Sequence, residues 1–324
     1  MLKTLIRAGT AALALFGAVT LANAADFPER PVTIVVGFPP GGASDIMARI
    51  IADKLGSLLG QPFIVDNRPG AGGNIAGEFV AHAAPDGYTL LLGNNAILAT
   101  NVNLYSKIGF DPQKDFAPIS LIGTQANVLV VNLNVPAHSL ADLIVLAKAN
   151  PGKLNFASSG YGLAAHLAGE LFKSQAHIDI VHVPYKGSAP ALQDVIAGQD
   201  QMMFATASGV MGFLANSQVR PLAVTTLRRT AALPDIPTMD EAGLPGFEAT
   251  TWHGLVAPAG TPHDIVATLH RAVVETLKDE SVQQKLAALG IDPVGSTPDE
   301  FSAYIAAEIP KWAAIIKASG AKME

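Results

Sequence analysis

The stretch "VVGFPPGGASDIMARII" (Val35–Ile51) decides the fold class. Val32–Phe38 is a run of apolar, mostly β-branched residues of the kind that fills a buried strand. From Ala43 onward, Ile46, Met47, Ile50, Ile51, Lys54 and Leu55 recur at helical spacing, with the apolar residues on one face. Between strand and helix stand Pro39, Pro40, Gly41 and Gly42, none with a bulky flexible side chain. Such a turn leaves the amides of the helix start uncovered, open to whatever touches them.

Working outward, the 324 residues leave room for two domains, and 49% hydrophobic residues suffice for a real core. A net charge of −6, without a basic stripe to neutralise phosphates, argues against nucleic acid. The absence of cysteine excludes disulfides, iron–sulfur clusters and thiolate zinc sites. The N-terminal "MLKTLIRAGTAALALFGAVTLANA" has Lys3 and Arg7, a short apolar stretch and Ala22-Asn23-Ala24. This pattern predicts a secretory signal, 1–24, cut after Ala24. The apolar run is short for an uncleaved anchor, and no cysteine follows it to take a lipid. The expectation is a soluble, exported chain, which in a Gram-negative cell means the periplasm.

Strand and helix patterns alternate, which predicts α/β architecture with a parallel sheet. The strand candidates are Val32–Phe38, Pro62–Asp66, Tyr88–Leu92, Val128–Val131, Leu154–Ala157, Ile180–Val183, Met202–Phe204, Leu222–Thr225 and Thr251–Ala257. The helix candidates are Ser44–Leu59, Asn74–Ala83, Leu140–Ala149, Ala164–Ser174, Ala189–Ala197, Pro262–Lys278, Val282–Leu289 and Pro298–Ala318. The strand, Gly-rich turn and helix of the opening stretch return about 120 residues later as "LNFASSGYGLAAHLAGELF" (Leu154–Phe172). Two similar halves, each presenting loops at the C-terminal ends of its strands, predict a cleft between them. The Pro-rich Leu233–Ala249 leads into a helical C-terminal third that returns the chain to the first half. The expected division is 25–121 plus 236–324 for lobe 1 and 122–235 for lobe 2.

Helix N-termini carry partial positive charge and bind phosphate or carboxylate without a charged side chain. Gly41 and Gly42 permit close approach, Ser44 offers a hydroxyl or a cap, and Asp45 suits the dipole in the first turn; an ordinary β–α loop with a serine cap would look the same. Ser158, Ser159, Gly160 and Gly162 repeat the offer in the second half. His166, one turn in, suits a hydrogen bond to the loop better than a ligand contact. "HVPYKGSAP" places Tyr185 and Lys186 before another helix, with Lys186 either a solvated surface residue or a source of positive potential. "RPGAGGNIAG" follows a strand, but its glycine spacing is wrong for a dinucleotide fingerprint. There is no G-x-S-x-G, no phosphate-binding G-x-x-x-x-G-K-[ST] and no H-E-x-x-H. His177 and His182 lack a convincing third metal ligand, and Trp252 and Trp312 suit the packing of a domain interface.

The segments "FPPGGASD", "NRPGAGGNIAG", "APDGYTLLLG", "VPYKGSAPALQDVIAGQ", "LPDIPTMDEAGLPGFEATTWHGLVAPAGTP" and "STPDEFSAYIAAEIPKW" together resemble the Bug family. These are extracytoplasmic solute receptors related to the substrate-binding proteins of tripartite tricarboxylate transporters. The resemblance covers essentially the whole mature chain. It implies a periplasmic, two-lobed Venus flytrap of type II-like organisation, with a small carboxylate held between the lobes and no cofactor. It also implies that the loops matching Phe38–Asp45 and Ser158–His166, Tyr161 included, hold that carboxylate through amides, hydroxyls and water. Two departures bear on the ligand. Leu163 stands where relatives often carry Ser or Thr, and Ala205, before Thr206, stands where many carry Asp. The second loss disfavours an α-amino ligand and favours a plain di- or tricarboxylate or an aromatic acid. With Asn94, the expected ligand-binding set is Phe38, Gly41, Gly42, Ser44, Asp45, Asn94, Ser158, Ser159, Gly160, Tyr161, Gly162, His166, Tyr185, Lys186, Ala205 and Thr206.

The leading expectation is therefore a monomeric binding protein, not an enzyme. Its partner is a membrane permease of the tripartite tricarboxylate type or, alternatively, a sensor kinase. A periplasmic hydrolase using Ser159 and His166 is the competing reading, and it needs a third orienting group and an oxyanion site.

Overall fold

The computed structural model describes residues 27–160 and 162–323. The expected signal segment and its cleavage point lie outside the described residues. β1 (Val32–Val36) is buried at Val32, Ile34, Val35 and Val36. It lies between two parallel neighbours, β2 (Phe63–Asn67) and β3 (Thr89–Asn94). A strand covered on both faces reads as a continuous apolar run rather than an alternation. α1 (Ala43–Leu59) carries the chain from β1 to β2 and buries Met47, Ala48, Ile51, Ala52 and Leu55. That face is rotated from the expected one. Ile46 is 38% exposed, and the small Ala48 and Ala52 meet the core instead. Burying Met47, Ile51 and Leu55 stabilises by about 2 kcal/mol each before entropy is counted. Gly60, left-handed, ends the helix with its N–H on the Gly56 carbonyl.

The first sheet is six-stranded and mixed. β4 (Phe116–Gln125), β10 (Thr251–Pro258) and β11 (Ile291–Pro293) extend it in the order β11-β4-β10-β3-β1-β2. β10 runs antiparallel to both β3 and β4, so the all-parallel expectation is corrected here. β4 is also a strand the pattern did not predict, because Pro118 reads as a breaker. The ladder tolerates it at a bulge: Leu255 pairs with Ser120, Val256 with Pro118, and Ile119 is skipped.

The second sheet has five strands: β7 (Val181–Pro184), β6 (Asn155–Ser158), β8 (Met202–Thr206), β5 (Asn127–Val131) and β9 (Arg220–Val224), in that order. β6 is parallel to β7 and β8, whereas β5 is antiparallel to β8 and β9. Its helices are α4 (Leu140–Ala149), α5 (Ala164–Ala176), α6 (Ser188–Ala197) and α7 (Ala207–Ala215). α7 was not predicted, since Gly209 and Gly212 interrupt its apolar pattern. The π-helical turn Ala96–Thr100, which runs into α3 (Asn101–Leu104), was also missed.

The chain passes from the first sheet to the second between Gln125 and Asn127, and returns at Thr251. The expected changeover at 121/122 falls inside β4. The expected return at 235/236 precedes a stretch still bonded to the second sheet, where Met239 donates to the Val224 carbonyl and Ala249 to that of Thr225. The two passages are tied together: Asn127 Nδ2 donates to the Ala249 carbonyl at 2.9 Å. α8 (His263–Lys278) and α9 (Glu280–Ala288) cover the first sheet. α10 (Pro298–Ser319) opens with a capping box between Thr297 and Glu300 and packs against β4, α3 and α5. It thereby touches elements of both sheets. Trp252 and Trp312 do pack there, each buried and donating its indole N–H to the Glu308 carboxylate, at 3.1 and 2.8 Å.

Candidate functional site: a cavity between the two sheets

The parallel strands of both sheets aim their C-terminal ends at one cavity of ≈170 Å³. Phe38, Asn94, Asn95 and Ala96 line it from the first sheet's side; Ser159, Gly162–Ala165, Ser188, Phe204 and Thr206 line it from the second. Asn127 and Thr251, one from each passage between the sheets, complete the wall. No ionisable side chain is among them.

The positive potential comes from backbone. α5 starts at the cavity behind Leu163, and α6 behind Gly187; neither has a side-chain cap. First-turn amides of an uncapped helix have no intrahelical partner and are able to bind an anion. α7 also starts here, but its Ala207 amide is already given to the Ala126 carbonyl. Backbone bonds hold the two open turns side by side. Tyr185 N–H donates to the Ser158 carbonyl at 2.9 Å, and Gly187 N–H to that of Ser159 at 3.1 Å. This brings the hydroxyl-bearing Ser159 and Ser188 to one cavity wall.

Behind the wall sits a layer of neutral histidines. Gly162 N–H donates to His166 Nδ1 at 3.0 Å, which puts the ring proton on Nε2. The His166 ring stacks on His182 with centroids 4.1 Å apart, and His182 Nε2 lies 2.6 Å from Ser158 Oγ. Burial drives the His166 pKa down to about 4 and that of His182 to about 3. His166 thus supports the loop, as its position suggested, and does not line the cavity. Its Nδ1, the nitrogen a general base would use, is occupied by the Gly162 amide.

Of the expected set, Phe38, Asn94, Ser159, Gly162 and Thr206 line the cavity. Gly41, Gly42, Ser44 and Asp45 do not. Gly41 N–H donates to Asp45 Oδ2 at 2.9 Å, and Asp45 pairs with Arg49, whose guanidinium holds the carboxyl below its usual range. Ser44 Oγ lies 2.8 Å from Nε2 of the buried His253, whose pKa burial lowers to about 4. Ser158 is fully buried, with its hydroxyl against His182 and the Gly160 backbone. The Tyr185 hydroxyl is turned to the carboxylates of Asp194 and Asp200, 2.7 Å from each, and burial with those charges raises its pKa. Lys186 is exposed and does not line the cavity. Ala205 lies on a neighbouring cavity, and Tyr161 lies outside the described residues. Sequence reasoning passed over Ser188, although it directly follows Gly187 and opens α6. Asn127 and Thr251 carry no local signal, because only the crossing of the chain brings them here. Among the described residues, no cluster of three or more His, Asp or Glu side chains could hold a metal.

Two α/β sheets joined by paired crossings around a shared cavity define a two-lobed solute-binding protein. The model of the tripartite tricarboxylate transporter family receptor matches residues 47–321, and the chain belongs to that family. It is 39% identical over 313 residues to the protein BugT of Bordetella pertussis, covering 96% of each chain. Among solved structures it is similar to an R. palustris protein with adipate, at 40% identity and TM-score 0.77, covering 92% of this chain and all of that one. It is also similar to MatC from Rhodopseudomonas palustris with bound malate, at 35% identity and TM-score 0.72, covering 90% of this chain and all of that one. The family is one of periplasmic solute-binding receptors, and among the described residues no helix is long and apolar enough to cross a membrane.

Proposed function

We propose that this chain is exported to the periplasm, captures a small carboxylate between its lobes without chemical change, and delivers it to a permease of the tripartite tricarboxylate type. The observation that carries the reading is the cavity between the sheets, where α5 and α6 begin uncapped and no side chain is charged. A carboxylate meets oriented amides and hydroxyls there without a counter-ion. The volume is below the roughly 300 Å³ at the lower end of ordinary ligand pockets, which suits an acid of a few carbons. The adipate and malate held by the two similar proteins are acids of that size. The lobes divide near 125/126 and 250/251 in this reading, and the linked passages at Asn127 and Ala249 form the hinge. Each lobe contributes part of the wall, so ligand favours the closed arrangement.

Calorimetry of the mature protein against a panel of aliphatic acids tests the reading. At least one acid should bind, in the presence of a chelator, and mass spectrometry should recover it unchanged. Absence of binding across the panel, or a reaction product, would overturn it.

A further inference from the structure

A second cavity adjoins the first. It measures ≈220 Å³ and shares Ser188 and Thr206 with the carboxylate cavity. It is enclosed by α6, β8 and α7. Leu192, Met203 and Ala205, all buried, form its wall together with Phe213. Gly209 lets the first turn of α7 stand close against Thr206: a Cβ there would meet Thr206 Oγ1 at 2.8 Å and force that hydroxyl to shift. Among the described residues, no ionisable side chain lines this chamber.

We propose that the chamber receives the hydrocarbon tail of the bound acid, so that the preferred ligand is a monocarboxylate with an apolar tail rather than a diacid. The inference rests on the carboxylate reading of the neighbouring cavity. The charged end stays with the amides of α5 and α6. Ser188 opens α6 and also walls the chamber, so an acid anchored beside it has one end at the chamber entrance. A second carboxylate entering there would lose its water to Leu192, Met203, Ala205 and Phe213, which offer it no hydrogen bond, and that is strongly unfavourable. A methylene chain entering the same space leaves water for apolar walls, which is favourable. Ala205 is decisive for the sign, since an acidic side chain at that position would make the chamber polar.

The test is calorimetry of the mature protein with butanoate, hexanoate, octanoate and suberate, the last matching octanoate in length with a carboxylate at each end. Affinity should rise about fourfold for each added methylene. Octanoate should bind at least tenfold more tightly than suberate. Gln193→Phe and Gln193→Trp, both on an exposed residue at the chamber's edge, should reduce octanoate to the affinity of butanoate and leave butanoate unchanged. Affinity independent of tail length, suberate equal to octanoate, or a length gain that survives both variants would overturn the proposal while leaving the receptor reading intact. If none of the four acids nor any other carboxylate binds, the receptor reading fails and this inference with it.

Discussion

The turn from β1 into α1 and the turn from β6 into α5 follow the same local rule, with strand, glycines and helix in close succession. They end in different chemistry. In the first, Asp45 reaches back to the Gly41 amide and is held by Arg49, while Ser44 is engaged by His253. In the second, the residue before the helix is Leu163, which has no atom to accept an amide, and the helix start stays open to the cavity. Neither α1 nor α5 has a side-chain cap, so what separates the two starts is the Asp45 carboxylate in the first turn of α1, against the uncharged lining at α5. The two turns also keep their histidines differently. His253 braces Ser44 across to β10, whereas His166 takes an amide of its own loop.

The comparison breaks most sharply at Leu163. Leu163→Asp gives α5 the cap it lacks and puts a negative charge in the cavity. Carboxylate affinity should fall at least a thousandfold in calorimetry, while the melting temperature holds or rises, since a good N-cap adds about 1 kcal/mol. Retained binding would show that the α5 amides are not the receptor.

Acid should strike both turns at once. His166, His182 and His253 have folded pKa values depressed to about 4, about 3 and about 4. Below the unfolded value of about 6.5, the unfolded chain takes up protons that the folded chain refuses, so stability is present above that pH and lost below it. Between pH 7 and 5.5 the loss is about 1 kcal/mol for each histidine, measurable by denaturant titration. His253→Asn should remove about a third of that slope if His253 is neutral in the fold; an unchanged slope would contradict its burial as the cause.

Ser159→Ala removes one hydroxyl from the open turn. A hydrogen bond to a charged ligand contributes about 1.5–3 kcal/mol, so Kd should rise roughly ten- to a hundredfold. The matching change in the closed turn is smaller. Asp45→Ala should lower the melting temperature by about 2–4 °C through the lost Gly41 bond, with Kd changed less than threefold. A larger affinity loss for Asp45→Ala than for Ser159→Ala would reverse the roles assigned to the two turns.

Much of this was legible in the sequence, because local rules act over a few residues. The apolar run of β1, the helical period of α1 though not its buried face, the Thr297–Glu300 capping box and the echo at Leu154–Phe172 each show in the chain itself. Motif resemblance reached the family for the same reason. Tertiary structure alone decided what depends on distant partners. The sheets are mixed because β10 comes back after more than a hundred residues to lie against β3 and β4, and no local pattern encodes the direction of a returning strand. Asn127 and Thr251 meet the cavity between the sheets only because both passages run beside it. Ser44, Ser158 and Tyr185 carry the polar groups of a binding site, yet His253, His182 and the Asp194–Asp200 pair engage them elsewhere. Whether a polar group serves the ligand or the fold is settled by which partner reaches it first in space, and spacing along the chain does not contain that distance.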